Sequence, residues 1–262
     1  NTSLMQAAPE LPDPHDTLIY LDREIMLINK PAGLLSIQDG YDHSLPHLAT
    51  YYQPRFGKVW IIHRLDKETS GVVLLGRNAD AHRFYNAEFQ AKSVNKYYHC
   101  LVAGTPAWEQ TRVNLPLRLN ADRLHRSRVD EQNGKPASTG FKLLAKYDGY
   151  SLLECELFTG YTHQIRAHLF AIGLHLLGET LYCEKSQRAN QQNAFGMQRI
   201  ALHARTIAFT HCVTGKSMQF TAPYPPDMQN LLQHNAAGRW ASQSFASFAA
   251  SLHISTNCET EC

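Results

Sequence analysis

Residues 63–71 read His63-Arg64-Leu65-Asp66-Lys67-Glu68-Thr69-Ser70-Gly71. This polar stretch falls between the apolar runs Val59 to Ile62 and Val72 to Leu75. Two buried strands joined by a loop with two cations, two acids and two hydroxyls set reactive groups on a rigid scaffold, which is where function is commonly carried. Composition alone fits a solvated connector equally well, because surface ion pairs are common and weak. The surrounding sequence has to decide between them.

On the N-terminal side, Ile25-Met26-Leu27-Ile28 reads as a buried strand closed by the turn Asn29-Lys30-Pro31-Ala32-Gly33. Ser44 to Tyr52 reads as a helix with Pro46 in its first turn, where a missing N–H costs least. On the C-terminal side, Gly71 to Arg77 is a β-branched strand. Asn78 then caps a helix from Ala79 to about Ala91, with Ala81, Phe84, Tyr85 and Phe89 at helical spacing. Strands follow over 97–102, 141–146 and 151–158. Thr162 is the expected N-cap of a helix ending at Gly173, with Ile165, Leu169 and Ile172 facing the core. Residues 200–211 and 218–222 flank a turn at 213–216 and predict a hairpin. Helices and strands mix without regular βαβ alternation, so the expected class is α+β.

The chain has 262 residues, a formal charge of +2, 18% charged and 44% hydrophobic residues, enough apolar surface to exclude disorder as the default. No apolar run approaches the roughly 20 residues that span a bilayer, and the first residues do not resemble a secretory leader. Six cysteines lack CxxC spacing and read as reduced thiols, which predicts a cytoplasmic protein. Three segments are expected: an N-terminal arm over 1–17, a single domain over 18–228, and a C-terminal extension over 229–262 with a helix near Phe245 to Leu252.

A second polar cluster spans Gly160-Tyr161-Thr162-His163-Gln164-Ile165-Arg166-Ala167-His168. On a helix, His163 and His168 point about 140° apart, so they do not form a metal pair. His163, Arg166 and Phe170 share one face, and Arg166 can offer a bidentate fork to a carboxylate or phosphate. A basic stretch follows another logic: Arg112, Arg118, Arg123, His125, Arg126 and Arg128, diluted by Asp122, can track a phosphate backbone or form a solvated loop. Thr214-Gly215-Lys216-Ser217 imitates the end of a P-loop, but position 210 is Thr where the first glycine belongs. Neither a Gly-x-Ser-x-Gly elbow nor a Gly-x-Gly-x-x-Gly fingerprint occurs.

Taken in order, these stretches resemble the RluA-type pseudouridine synthases. Residues 63–71 are similar to that family's HRLD-x-x-TSG signature, 29–33 to its NKPxG segment, and Lys96-Tyr97-Tyr98 to K-x-Y. Residues 160–166 are similar to G-R-[TS]-H-Q-[IL]-R, and Leu202-His203-Ala204 to the LHA strand. Five ordered motifs are far more specific than any one of them.

The resemblance implies a mixed, largely antiparallel sheet with flanking helices and a central RNA-binding cleft. It implies isomerisation of a uridine in tRNA or large-subunit rRNA by a monomer needing no metal, redox or nucleotide cofactor. Asp66 matches the essential aspartate, Tyr98 the tyrosine that packs against the target base, and Arg166 the arginine that pairs with the aspartate. Arg64 matches a side chain that fills the space left by the extruded nucleotide. His63, Thr69 and His163 are expected beside the RNA, with Arg123, Arg126 and Arg128 as backbone contacts. Tyr161 replaces the family's usual arginine, which predicts a missing cation near the cleft. The rival expectation is a catalytically silent RNA-binding module that retains the cleft.

Overall fold

The computed structural model describes residues 11–183 and 194–234. Its organising element is strand β4 (Ser70–Gly76), buried at every position, as an unbroken apolar run requires. On one side β4 pairs antiparallel with β2 (Ile25–Lys30), and β2 with β1 (Leu18–Leu21). On the other side it runs parallel to β11 (Leu202–Thr210), with Ser70 opposite His203 and Gly71 opposite Ala204.

The sheet continues antiparallel through β5 (Asn95–Ala103), β10 (Tyr150–Leu157), β9 (Thr139–Lys146) and β6 (Gln110–Val113). The two-residue strand β3 (Trp60–Ile61) lies on β4, and β12 (Ser217–Thr221) forms the expected hairpin with β11. A separate two-stranded sheet joins β7 (Leu117–Arg118) to β8 (Arg128–Val129). It carries the basic stretch as a hairpin rather than a free loop.

The junction of β4 and β11 demands a glycine. Gly71 has φ +119, and a Cβ there would drive into the Ala204 backbone. The polar loop therefore enters the sheet against a neighbouring main chain. His203 reinforces the junction, its Nδ1 lying 3.0 Å from the Ser70 hydroxyl.

Among the described residues four helices flank the sheet: α1 (Leu48–Phe56), α2 (Ala79–Ala91), α3 (Gln164–Ala171) and α4 (Pro226–His234). The Asn78 side chain accepts from the Ala81 N–H at 2.8 Å, and Ala81 and Tyr85 are buried, as the periodicity predicts. Helix α1 begins later than Ser44 because His47 is its N-cap, with the Thr50 hydroxyl accepting from the His47 N–H. Two segment boundaries also move. Residues 14–17 form a helical turn capped by Asp13, and the Thr17 hydroxyl meets the Tyr52 hydroxyl at 2.6 Å, so this end of the expected arm is docked. Helix α4 runs through position 229 because Met228 and Leu232 are both buried. The helix expected near 245–252 lies outside the described residues. Among the described residues no helix is long and apolar enough to cross a membrane, and the four described cysteines are free thiols.

Candidate active site

Asp66 sits on the loop between β3 and β4, and backbone groups pin that loop from several sides. The Thr69 N–H donates to the Asp66 carbonyl at 3.1 Å, closing a turn. The Lys67 carbonyl accepts from the Gly33 N–H at 2.8 Å and from the Lys30 ammonium at 3.1 Å. Lys30 is fully buried and also donates to the Pro31 and Leu34 carbonyls at 2.9 and 2.7 Å. Three carbonyl acceptors replace water around its charge, although burial still pushes its pKa down to about 7. The Ser36 hydroxyl donates to the Leu65 carbonyl and accepts from the Leu65 N–H. Arg199, forked onto Asp227 at 2.7 and 2.9 Å, donates to the Glu68 carbonyl at 3.1 Å. Lys30, Ser36 and Arg199 are the loop's positioning residues that sequence reasoning missed. The 29–33 motif was the available signal for the first.

The Asp66 carboxylate opens onto a cleft of about 270 Å³, with Tyr98, Thr69, Lys96, His163 and Arg166 among its lining residues. The site draws on three separate elements. Tyr98 comes from β5, in register with Cys155 on β10 and Ala204 on β11. Its ring is nearly buried, and burial, aided by the Asp66 charge, pushes its hydroxyl pKa up, so the phenol stays protonated. Arg166 comes from the first turn of α3, with Nη1 3.6 Å from Asp66 Oδ2. His163 Nε2 lies 3.7 Å from the same oxygen, and burial lowers the pKa of its imidazole despite the facing carboxylate.

Helix α3 starts one residue later than expected. His163, in the left-handed region at φ 55, is the N-cap, and Gln164 anchors the turn. Its Oε1 accepts from the Thr159 hydroxyl and the Tyr161 N–H, and its Nε2 donates to the Ser138 carbonyl and the Thr139 hydroxyl. Buried Gln164 thereby fixes where His163 and Arg166 project. His168 is fully buried and turned away, its Nδ1 2.9 Å from the Thr139 hydroxyl and its Nε2 2.9 Å from the Leu115 carbonyl.

The closest partner of Arg166 is a residue that sequence reasoning missed. Glu179 takes Arg166 Nε at 2.7 Å and Nη2 at 2.8 Å, and both side chains are buried. Glu179 Oε1 also accepts from the Leu181 and Tyr182 N–H groups. The Tyr182 hydroxyl donates to the Ser127 carbonyl and accepts from the Ser127 N–H, tying the basic hairpin to the site.

Of the expected RNA-facing residues, His63, Arg64, Thr69 and His163 line the cleft, whereas Arg126 does not face outward. His63 lies on the cleft wall stacked on Phe89, but its Nε2 accepts from the Leu74 N–H at 3.0 Å, which commits it to holding β4. Thr69 is buried, and its hydroxyl has no protein partner. Arg64 is exposed at the cleft. Arg126 turns inward, donating to Asp122 at 2.7 Å and to the Leu181 carbonyl at 3.0 Å. Asp122, which looked like a dilution of positive charge, organises the hairpin by also accepting from the Leu124 and Arg126 N–H groups. Arg123 is exposed, and Arg128 is half-exposed beside Asp122. Tyr161 lines the cleft in place of the expected arginine, and the cation there comes from the K-x-Y segment instead. Lys96 lines the same cleft, and its Nζ occupies space that a side chain at Gly160 would crowd.

A mixed, mostly antiparallel sheet with flanking helices is the fold of pseudouridine synthase domains. The human RNA pseudouridylate synthase domain containing 1 shares this fold, with a TM-score of 0.70 at 23% identity over 91% of this chain and 95% of that one. A family profile described as RNA pseudouridylate synthase matches residues 24–171. The chain is 34% identical over 230 residues to ribosomal large subunit pseudouridine synthase D of Zymomonas mobilis, covering 82% of this chain and 71% of the relative. It is 31% identical over 212 residues to the dual-specificity RNA pseudouridine synthase RluA of Pasteurella multocida, covering 80% of this chain and 94% of the relative. The chain belongs to the RNA pseudouridylate synthase family and is an isomerase that converts uridine in RNA to pseudouridine.

Proposed function

We propose that this synthase acts on a uridine in a structured ribosomal or transfer RNA, a reading supported by one relative that is a ribosomal large subunit synthase and another of dual RNA specificity, and that one chain working in the cytoplasm supplies the whole site. The observation that carries the reading is the Asp66 carboxylate at the mouth of a nucleoside-sized cleft, with Arg166 3.6 Å away and Tyr98 beside it. A module that only binds RNA gains nothing from a carboxylate facing a polyanion.

The target uridine leaves its stack and enters the cleft, at a cost on the order of a few kcal/mol. Arg64, exposed at the cleft, fills the vacated space, and Tyr98 packs against the base. The reaction breaks C1′–N1, rotates the retained uracil and joins C1′ to C5. The hydrogen on C5 then leaves as a proton, and N1 takes one up. Asp66 serves either as the nucleophile or as the counter-charge to a cationic C1′, and both roles begin from an ionised carboxylate. Arg166 supplies the nearby cation that orients it. Arg123 and Arg128, both exposed on the hairpin, contact the RNA backbone.

The test is to map pseudouridines in cellular RNA from a strain lacking the protein, then complement with wild type or Asp66→Asn. A site that disappears, returns with wild type and stays absent with the variant identifies the substrate. No change at any ribosomal or transfer RNA position would refute the substrate class.

A further inference from the structure

Arg166 faces two carboxylates, and the geometry ranks them. Glu179 takes the fork formed by Nε and Nη2 at 2.7 and 2.8 Å, whereas Asp66 is left with Nη1 at 3.6 Å, beyond a hydrogen bond. A bidentate fork is the strongest arrangement a guanidinium offers a carboxylate. If Glu179 did not occupy it, Asp66 would be the carboxylate available to take it, and both its oxygens would then be engaged.

Glu179 is itself rigidly placed. The Leu181 and Tyr182 N–H groups donate to Oε1 at 2.7 and 3.1 Å. The preceding residue, Gly178, has φ +74, and a Cβ there would strike the Arg199 carbonyl, so the turn is packed against main chain. The Tyr182 ring lies 5.2 Å from the guanidinium. Burial alone would raise the Glu179 carboxyl, but Arg166 and the two N–H groups hold it below its usual range.

We propose that Glu179 is a positioning residue for the isomerisation: by occupying the fork of Arg166 it holds the guanidinium at a distance that orients Asp66 while leaving an oxygen free for C1′. This rests on the function proposed above. Glu179 touches no substrate, and its influence passes through Arg166.

In Glu179→Gln the carbonyl can keep the two backbone donors, while the amide faces Arg166 Nε–H donor to donor and the fork is released. The expected result is a fall in kcat of at least about tenfold with KM for RNA within about threefold of wild type. A kcat within about threefold of wild type, or a loss confined to KM, overturns the proposal. If this variant does not fold, Arg166→Gln combined with Glu179→Gln leaves no buried charge uncompensated. Its single-turnover rate matching that of Arg166→Gln alone supports the proposal, and a rate at least about tenfold lower overturns it. Wild-type protein that forms no pseudouridine would defeat the proposed function itself, whereas full turnover by wild type and Glu179→Gln alike defeats only this inference.

Discussion

At the scale of single residues, the account turns on which side chains face the reacting base and which hold the others in place. Removing the guanidinium with Arg166→Ala should lower single-turnover rates by about a hundredfold, the usual effect of losing one preorganised electrostatic partner. A rate within a few-fold of wild type would contradict its orienting role. The basic hairpin allows a sharper contrast. Arg126 spends its donors on Asp122 and the Leu181 carbonyl, whereas Arg123 is exposed. Arg123→Ala should reduce the salt slope of RNA binding by about one unit per lost phosphate contact. Arg126→Ala should chiefly destabilise the hairpin, measured as faster proteolysis near 119–127. Equal slopes for wild type and Arg123→Ala would show that Arg123 makes no backbone contact.

The residues legible in the sequence were those whose spacing is local. Asp66 lies inside a nine-residue motif, and Arg166 follows His163 by three positions on one helix. Glu179 was not legible because it meets Arg166 only after the chain leaves α3 and turns back at Gly178. Lys30 was quoted as part of a motif, but nothing in its spacing announces a fully buried ammonium serving three carbonyls.

At the scale of elements, the critical feature is the parallel contact of β4 with β11. Apolar runs and turn residues made most strands readable, including the hairpin at 213–216. The register of Gly71 opposite Ala204 was unreadable, because it joins residues more than a hundred positions apart and depends on close main-chain approach. Gly71→Ala should therefore be severely destabilising, by roughly 2–4 kcal/mol, since it combines a positive φ with overlap on a neighbouring backbone. Urea unfolding monitored by circular dichroism checks this, and a loss below about 0.5 kcal/mol would show that the junction yields easily.

At the scale of the whole molecule, buried neutral histidines couple folding to acid. Burial lowers the pKa of His63, beside Lys96, and of His203 to about 3 in each case. In the unfolded chain both titrate near the usual histidine value of about 6.5. Between those values the unfolded chain binds more protons, so stability falls as pH falls through this window and is recovered above it. Acidic partners such as Glu179, whose carboxyl pKa is lowered in the fold, add a loss of the same sign at lower pH. Urea midpoints at pH 7 and pH 5 should differ in the direction of lower stability at pH 5, by on the order of 3 kcal/mol from the two histidines. Equal stability at the two pH values would mean that these rings are not held neutral.

The central claim is that Asp66 performs the isomerisation in a cleft built to receive one nucleoside. Joining C5 to C1′ expels the hydrogen on C5, so release of tritium from RNA carrying 5-tritiated uridine reports the chemistry directly. Wild type is predicted to release label in proportion to the pseudouridine formed. Asp66→Asn should release none while binding the same RNA with similar affinity. Label release by that variant at a rate near wild type would contradict the account.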